Sequence, residues 1–236
     1  MGVRLDEELA ELERVWQAGA CPGVVFYSAR IMEAMLREVL RGEDHGGQVF
    51  EWLKVLEERG QLSHVQRMFA HNLRILGNDA RHLRRQLGPE DAEVAIAMLE
   101  RLLVWFCREM RQHPWTGVLQ NADRDVGRSV NGVCPSRPTP EPRLAGVSEG
   151  LRTVFRLLDQ PDAKDVDIDR VLKYLQQEAP QLSKKTPIID ALCADALIAA
   201  GRCGDALKPL REAQRRFGRD VRLRQLEGLA LRRLGR

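Results

Sequence analysis

Apolar residues return every three or four positions through most of the first hundred residues, with polar positions between them. In LDEELAELERVW, Leu5, Leu9, Leu12 and Trp16 form one stripe and acids fill the other side, the pattern of an amphipathic helix. Pro22 opens a second stripe of Val25, Ala29, Met32, Leu36 and Leu40, which Gly42 and Gly46-Gly47 close. QVFEWLKVLEERG predicts a third helix ending at Gly60, and Ser63 is placed to cap a fourth, HVQRMFAHNLRIL. Pro89 starts a long helix whose Glu90 and Asp91 suit the positive end of the helix dipole, and which stops before Pro114. No convincing alternating strand interrupts the run. The pattern predicts an all-α bundle of about five or six helices over residues 1–113.

One stretch, LRILGNDARH at 73–82, breaks the helical rule by placing Gly77-Asn78 in mid-run. The residues alone predict a helix–kink–helix joint: Asn78 caps a new helix, DARHLRRQL, with His82 one turn in.

Residues 114–146 change character. Pro135, Pro138, Pro140 and Pro142 crowd into CPSRPTPE after Gly117, Gly127 and Gly132, which predicts an extended linker. Beyond it, residues 147–236 show a repeat. Shifting the chain by 34 residues places Ala194 on Gly228, Ala196 on Ala230, Leu197 on Leu231 and Gly201 on Gly235. Ala206, Leu210 and Ala213 line the inner side of the helix that follows the first of these. IDRVLKYLQQEAP looks like the second helix of a preceding, degenerate unit. The last residues, Leu234-Gly235-Arg236, fall where a repeat would turn into its second helix: a capping helix and the front of a longer protein are both open readings.

Charge supports the division. Residues 1–113 carry 15 Lys and Arg against 18 Asp and Glu; residues 114–146 carry 4 against 3; residues 147–236 carry 18 against 13. All four tryptophans, Trp16, Trp52, Trp105 and Trp115, lie in the first half. The expectation is two separately folding domains, 1–113 and 147–236, joined by the linker. The amino terminus lacks the basic-then-apolar order of a secretory signal, and no apolar run is long enough to span a bilayer. Five scattered cysteines without a C-x-x-C pair point to reduced thiols, so a cytoplasmic protein without membrane contact is expected.

Two families are resembled. Ser28-Ala29-Arg30-Ile31-Met32-Glu33, followed by Leu73-Arg74-Ile75-Leu76-Gly77-Asn78-Asp79-Ala80-Arg81-His82 and the long helix from Pro89, is similar to the helical domain of unknown function 4145. That resemblance implies a fold like the HEPN helical bundles, several of which are dimeric ribonucleases, and a setting beside restriction or defence enzymes. It makes Glu33, Arg74, Asn78 and His82 a candidate buried polar network, and Arg74 with His82 the alternative catalytic pair of a metal-free ribonuclease. The nuclease pattern has four to six residues between its Arg and His, whereas seven separate Arg74 from His82 and three separate Arg67 from His71. The 34-residue period resembles tetratricopeptide repeats. If so, Asp195, Ile198, Arg222, Gln225, Leu229, Arg232 and Arg233 face a groove, and its arginines suit a protein or acidic peptide.

Other chemistry is faint. His45, His64 and His113 lack partners at metal-ligand spacing, Cys107 reads as core, and Gly46-Gly47 lacks the Lys-Ser/Thr of a phosphate loop. No metal and no cofactor is expected. Residues 202–236 hold eleven Lys and Arg against four acids, which would attract nucleic acid, but Phe217 is their only aromatic for stacking. The leading expectation is a protein-interaction adaptor, with a homodimer through the bundle; a ribonuclease or a nucleic-acid-binding protein is the alternative.

Overall fold

The computed structural model describes residues 5–42, 47–82, 86–112, 144, 147–159, 168–177, 186–218 and 220–235. The proline cluster of the expected linker lies outside them. Among the described residues the fold is all-α, with ten helices. They are α1 Leu5–Gln17, α2 Cys21–Val39, α3 Val49–Glu58, α4 His64–His82 and α5 Pro89–Gln112, then α6 Glu149–Leu158, α7 Ile168–Gln177, α8 Pro187–Ala199, α9 Cys203–Phe217 and α10 Val221–Arg233. No helix among them is long and apolar enough to cross a membrane.

Helix α2 is the hub of the first half, packed against α1, α4 and α5. Its Val24, Val25, Ile31, Met32, Met35 and Leu36 are all buried, so it has apolar residues on more than one side. Helix α4 starts with a capping box. The Ser63 hydroxyl accepts from the Gln66 backbone N–H at 3.1 Å, and the Gln66 side chain accepts from the Ser63 N–H at 3.0 Å.

The expected break at Gly77-Asn78 is absent. Helix α4 runs unbroken to His82, and Gly77 is buried inside it. A Cβ on Gly77 would come within 2.4 Å of the Ala29 Cβ on α2. Glycine stands here because two helices approach more closely than any side chain permits, and propensity yields to packing.

The second half packs onto the first within a shared core. Phe69 of α4 meets Phe155 of α6 with ring centroids 5.1 Å apart. At the end of α6, Asp159 accepts from Gln66 Nε2 at 3.1 Å and from Arg101 Nε at 3.0 Å. Glu100 of α5 accepts from Arg152 Nη2 at 3.0 Å and from the Leu144 backbone at 2.6 Å. The Thr186 hydroxyl, the cap of α8, donates to Asp91 at 3.1 Å. Separate packing of the two halves was the expectation from composition; these contacts instead tie α6 and α8 to α4 and α5.

Helices α8 and α10 close in the same way. Gly201 follows α8 at φ +76° and Gly235 follows α10 at φ +71°. The Gly201 N–H bonds to the Ile198 carbonyl and Arg202 N–H to Leu197, while Gly235 N–H bonds to Arg232, the corresponding closure. Gly201→Val should therefore cost about 1–3 kcal/mol of stability, from the left-handed backbone alone, since the site has open space. An unchanged denaturation midpoint would contradict this.

Candidate functional site

One face of α4 carries a line of ionisable side chains. His64, Arg67, His71 and Arg74 are spaced three and four apart, which stacks them along one side of the helix. Glu57 of α3 sits against the first two. His64 Nδ1 lies 3.3 Å from Glu57 Oε1, Arg67 Nε lies 2.9 Å from Glu57 Oε2, and Arg67 Nη2 lies 3.4 Å from His64 Nδ1. The Arg67 Nε contact has an ion-pair distance but not the alignment of a hydrogen bond.

Opposite this face stands Asp195 of α8. Burial pushes its carboxyl above the usual range, and the charges of His64, Arg67 and Arg233 pull it back. Arg233, at the end of α10, donates to the Ile198 carbonyl at 2.7 Å. The result is a charged seam in which α3 and α4 meet α8 and α10. Further along α4, burial lowers the His71 pKa to about 4, helped by the positive charges of Arg74 and Arg67. His71 is thus neutral at pH 7. His64 Nε2, His71 Nδ1 and Arg74 Nε are buried with no hydrogen-bond partner.

The sequence-predicted residues divide between this seam and elsewhere. Glu33, Arg74 and Asn78 are half-buried, and His82 is exposed at the end of α4. Arg74, Asn78 and His82 lie on successive turns of the unbroken α4, and no hydrogen bond joins them to one another or to Glu33. The polar network expected between the helices is replaced by the apolar contact of Gly77 with Ala29. Arg74 and His82, eight residues apart on one helix, are separated by about 12 Å along its axis and do not converge. His82→Ala should change stability by no more than about 0.5 kcal/mol, as for other exposed positions, measured by urea denaturation. A loss several times larger would show that His82 is packed after all.

The predicted groove is also divided. Ile198 is buried, Asp195 is half-buried in the seam, and Arg233 is engaged with Ile198. Arg222 is buried and paired with the α10 cap, Asp220, at 2.9 Å. Leu229 is half-buried, while Gln225 and Arg232 are exposed. So the bundle covers part of the expected groove. The sequence offered His64 only as a lone histidine and Arg67 with His71 only as a spacing that departs from the nuclease pattern; their place on one helix face was also visible in the three- and four-residue steps. Cys193, by contrast, is inert: burial, with the nearby Asp190 charge, pushes its thiol up to about 12.

An α-helical bundle joined to helices with a 34-residue period is the class that fold and site define. Residues 11–113 match the family model described as Domain of unknown function (DUF4145), which extends from α1 to the end of α5. No curated protein and no solved structure shows significant similarity to the chain.

Proposed function

We propose that the chain is a protein-interaction adaptor, in which the bundle braces a short array of tetratricopeptide-like helices that receive the partner. The observation that carries this reading is the equivalence of α8 and α10. Small residues and leucine recur at a 34-residue spacing, Ala194, Ala196, Leu197 and Gly201 falling on Gly228, Ala230, Leu231 and Gly235, as in units that stack on their neighbours; the positive-φ glycine closure itself is shared with α1 and α3. The basic excess of residues 202–236 favours an acidic protein or peptide as partner. An accessory role in a prokaryotic defence or restriction-type system, in the cytoplasm, belongs to the same proposal.

A second reading is favoured by the α4 face. Buried, unpartnered nitrogens on His64, His71 and Arg74 are an unusual concentration of polar atoms without acceptors. A HEPN-like metal-free ribonuclease would use such groups on a phosphodiester, but a His71 held near pKa 4 is a weak base at neutral pH. The spacing of Arg67, His71 and Arg74 departs from the nuclease pattern, which places this reading second.

Photo-crosslinking in an extract of the source cells separates the two. The full chain would carry a crosslinking residue at Gln225 on α10 or at Lys54 on α3, and adducts would be identified as protein or RNA. A discrete protein adduct through Gln225 is the expected result. RNA adducts and cleavage of added single-stranded RNA, lost in Arg74→Ala, would overturn the adaptor reading in favour of the nuclease.

A further inference from the structure

The 34-residue repeat compares one helix face in two settings. On α8, Pro187, Asp190, Ala191, Ala194, Leu197 and Ile198 share a face, and every one is buried. The equivalent α10 residues are Val221, Arg224, Gln225, Gly228, Leu231 and Arg232. Val221 is 65% exposed, Leu231 is half-buried, and the other four are exposed. Gly228 has nothing within 4 Å of where its Cβ would be, whereas Ala194 at the same place is fully covered. The next helix, α9, packs extensively on α8. A cleft of about 440 Å³ runs between α9 and α10, lined by Arg211, Arg215, Arg224 and Glu227 among others.

Charge indicates what covers the α10 face. On α8, Asp190 pairs with Arg216 of α9 at 2.9 Å. On α10 the equivalent residue is Arg224, so the sign is reversed. Arg211 is already paired with Glu227 at 2.9 Å, but no ion pair engages Arg215, Arg224 or Arg232 among the described residues. A second copy of α10 would set like charges against each other.

We propose that the α10 face, centred on Gly228, docks an amphipathic helix of a partner protein in the manner in which α8 receives α9. That helix carries small apolar residues toward Gly228 and a carboxylate toward Arg224. Gly228 permits close approach of the two backbones, Val221 and Leu231 supply apolar area, and Arg224 and Arg232 select for acidic flanks. This surface rests on the adaptor reading and names the chemistry of its partner.

The test uses a defined probe and the full chain. A fluorescent helical peptide with the α9 sequence, stapled on its outward side, would have its Arg211, Arg215 and Arg216 replaced by glutamate. Fluorescence anisotropy should show saturable binding, weakened about tenfold or more by Gly228→Trp and by Arg224→Glu, the loss expected from one central close contact. The unmodified, basic α9 peptide should bind the Arg224→Glu chain better than it binds the unaltered one. Circular dichroism confirms that both variants remain folded. No binding by the glutamate peptide, or binding that Gly228→Trp leaves unchanged, would overturn the docking surface. The crosslinking experiment separates this failure from that of the adaptor reading, which survives if a protein adduct forms through another face.

Discussion

Gly77→Leu should unfold the chain far more readily than any surface change, with a loss on the order of 3–5 kcal/mol. The first added carbon already lies 2.4 Å from the Ala29 Cβ, so α2 and α4 must separate to admit it. These helices hold much of the core of the first half, including Met32, Met35, Phe69 and Leu73, and parting them loosens all of it. Gly77→Ala isolates the contact itself. Alanine is the better helix former by about 1 kcal/mol, so a net loss in that variant would be steric. Ala29→Gly in the same chain should restore most of that loss, because it removes the atom in the way. Urea denaturation of the two single variants and the double variant measures this. An unchanged midpoint in Gly77→Leu would show that the close approach is not real.

Asp159→Ala should also cost about 3–5 kcal/mol, for an electrostatic reason. Arg101 is nearly buried, with its side chain 10% exposed, and Asp159 is its ion-pair partner at 3.0 Å. Removing the carboxylate takes away the acceptor that Arg101 Nε and the Gln66 amide share in a low-dielectric place. Burial raises the Asp159 carboxyl pKa, against the pull of Arg101 and Gln66, so the pair is held at a desolvation cost. Replacing Asp159 by leucine and Arg101 by methionine together should recover part of the loss, since this ion pair is then removed whole. A loss in Asp159→Ala below about 1 kcal/mol, read from the same denaturation curves, would mean that α6 contributes little to holding the halves together.

What could be read from the chain followed how local the cause was. Helix positions came from three- and four-residue periods, and the starts at Ser63 and Pro89 came from capping chemistry confined to one turn. Gly201 and Gly235 were paired by a repeat that any alignment of the chain with itself displays. Gly77 misled because its reason sits on another helix: intrinsic propensity marks it as a break, and only Ala29 explains why the helix continues. Asp159 and Glu100 gave no signal, since their partners lie 58 and 52 residues away and nothing in the neighbouring sequence marks either carboxylate. The seam was half legible. The α4 line of His64, Arg67, His71 and Arg74 is periodic, but Asp195 and Arg233 join it only through the docking of α8 and α10.

Central to the account is that the bundle and the carboxy-terminal helices form one unit, in which Asp195 and Ile198 are covered and the α10 face stays exposed. Equilibrium urea unfolding followed by two probes tests it most directly. Tryptophan emission reports residues 1–115 alone, because all four tryptophans lie there, while far-ultraviolet circular dichroism reports every helix. One unit predicts a single transition with coincident midpoints by both probes, and Asp159→Ala should shift the two together. Two separated steps, with helicity lost at low urea while tryptophan emission stays native, would contradict it.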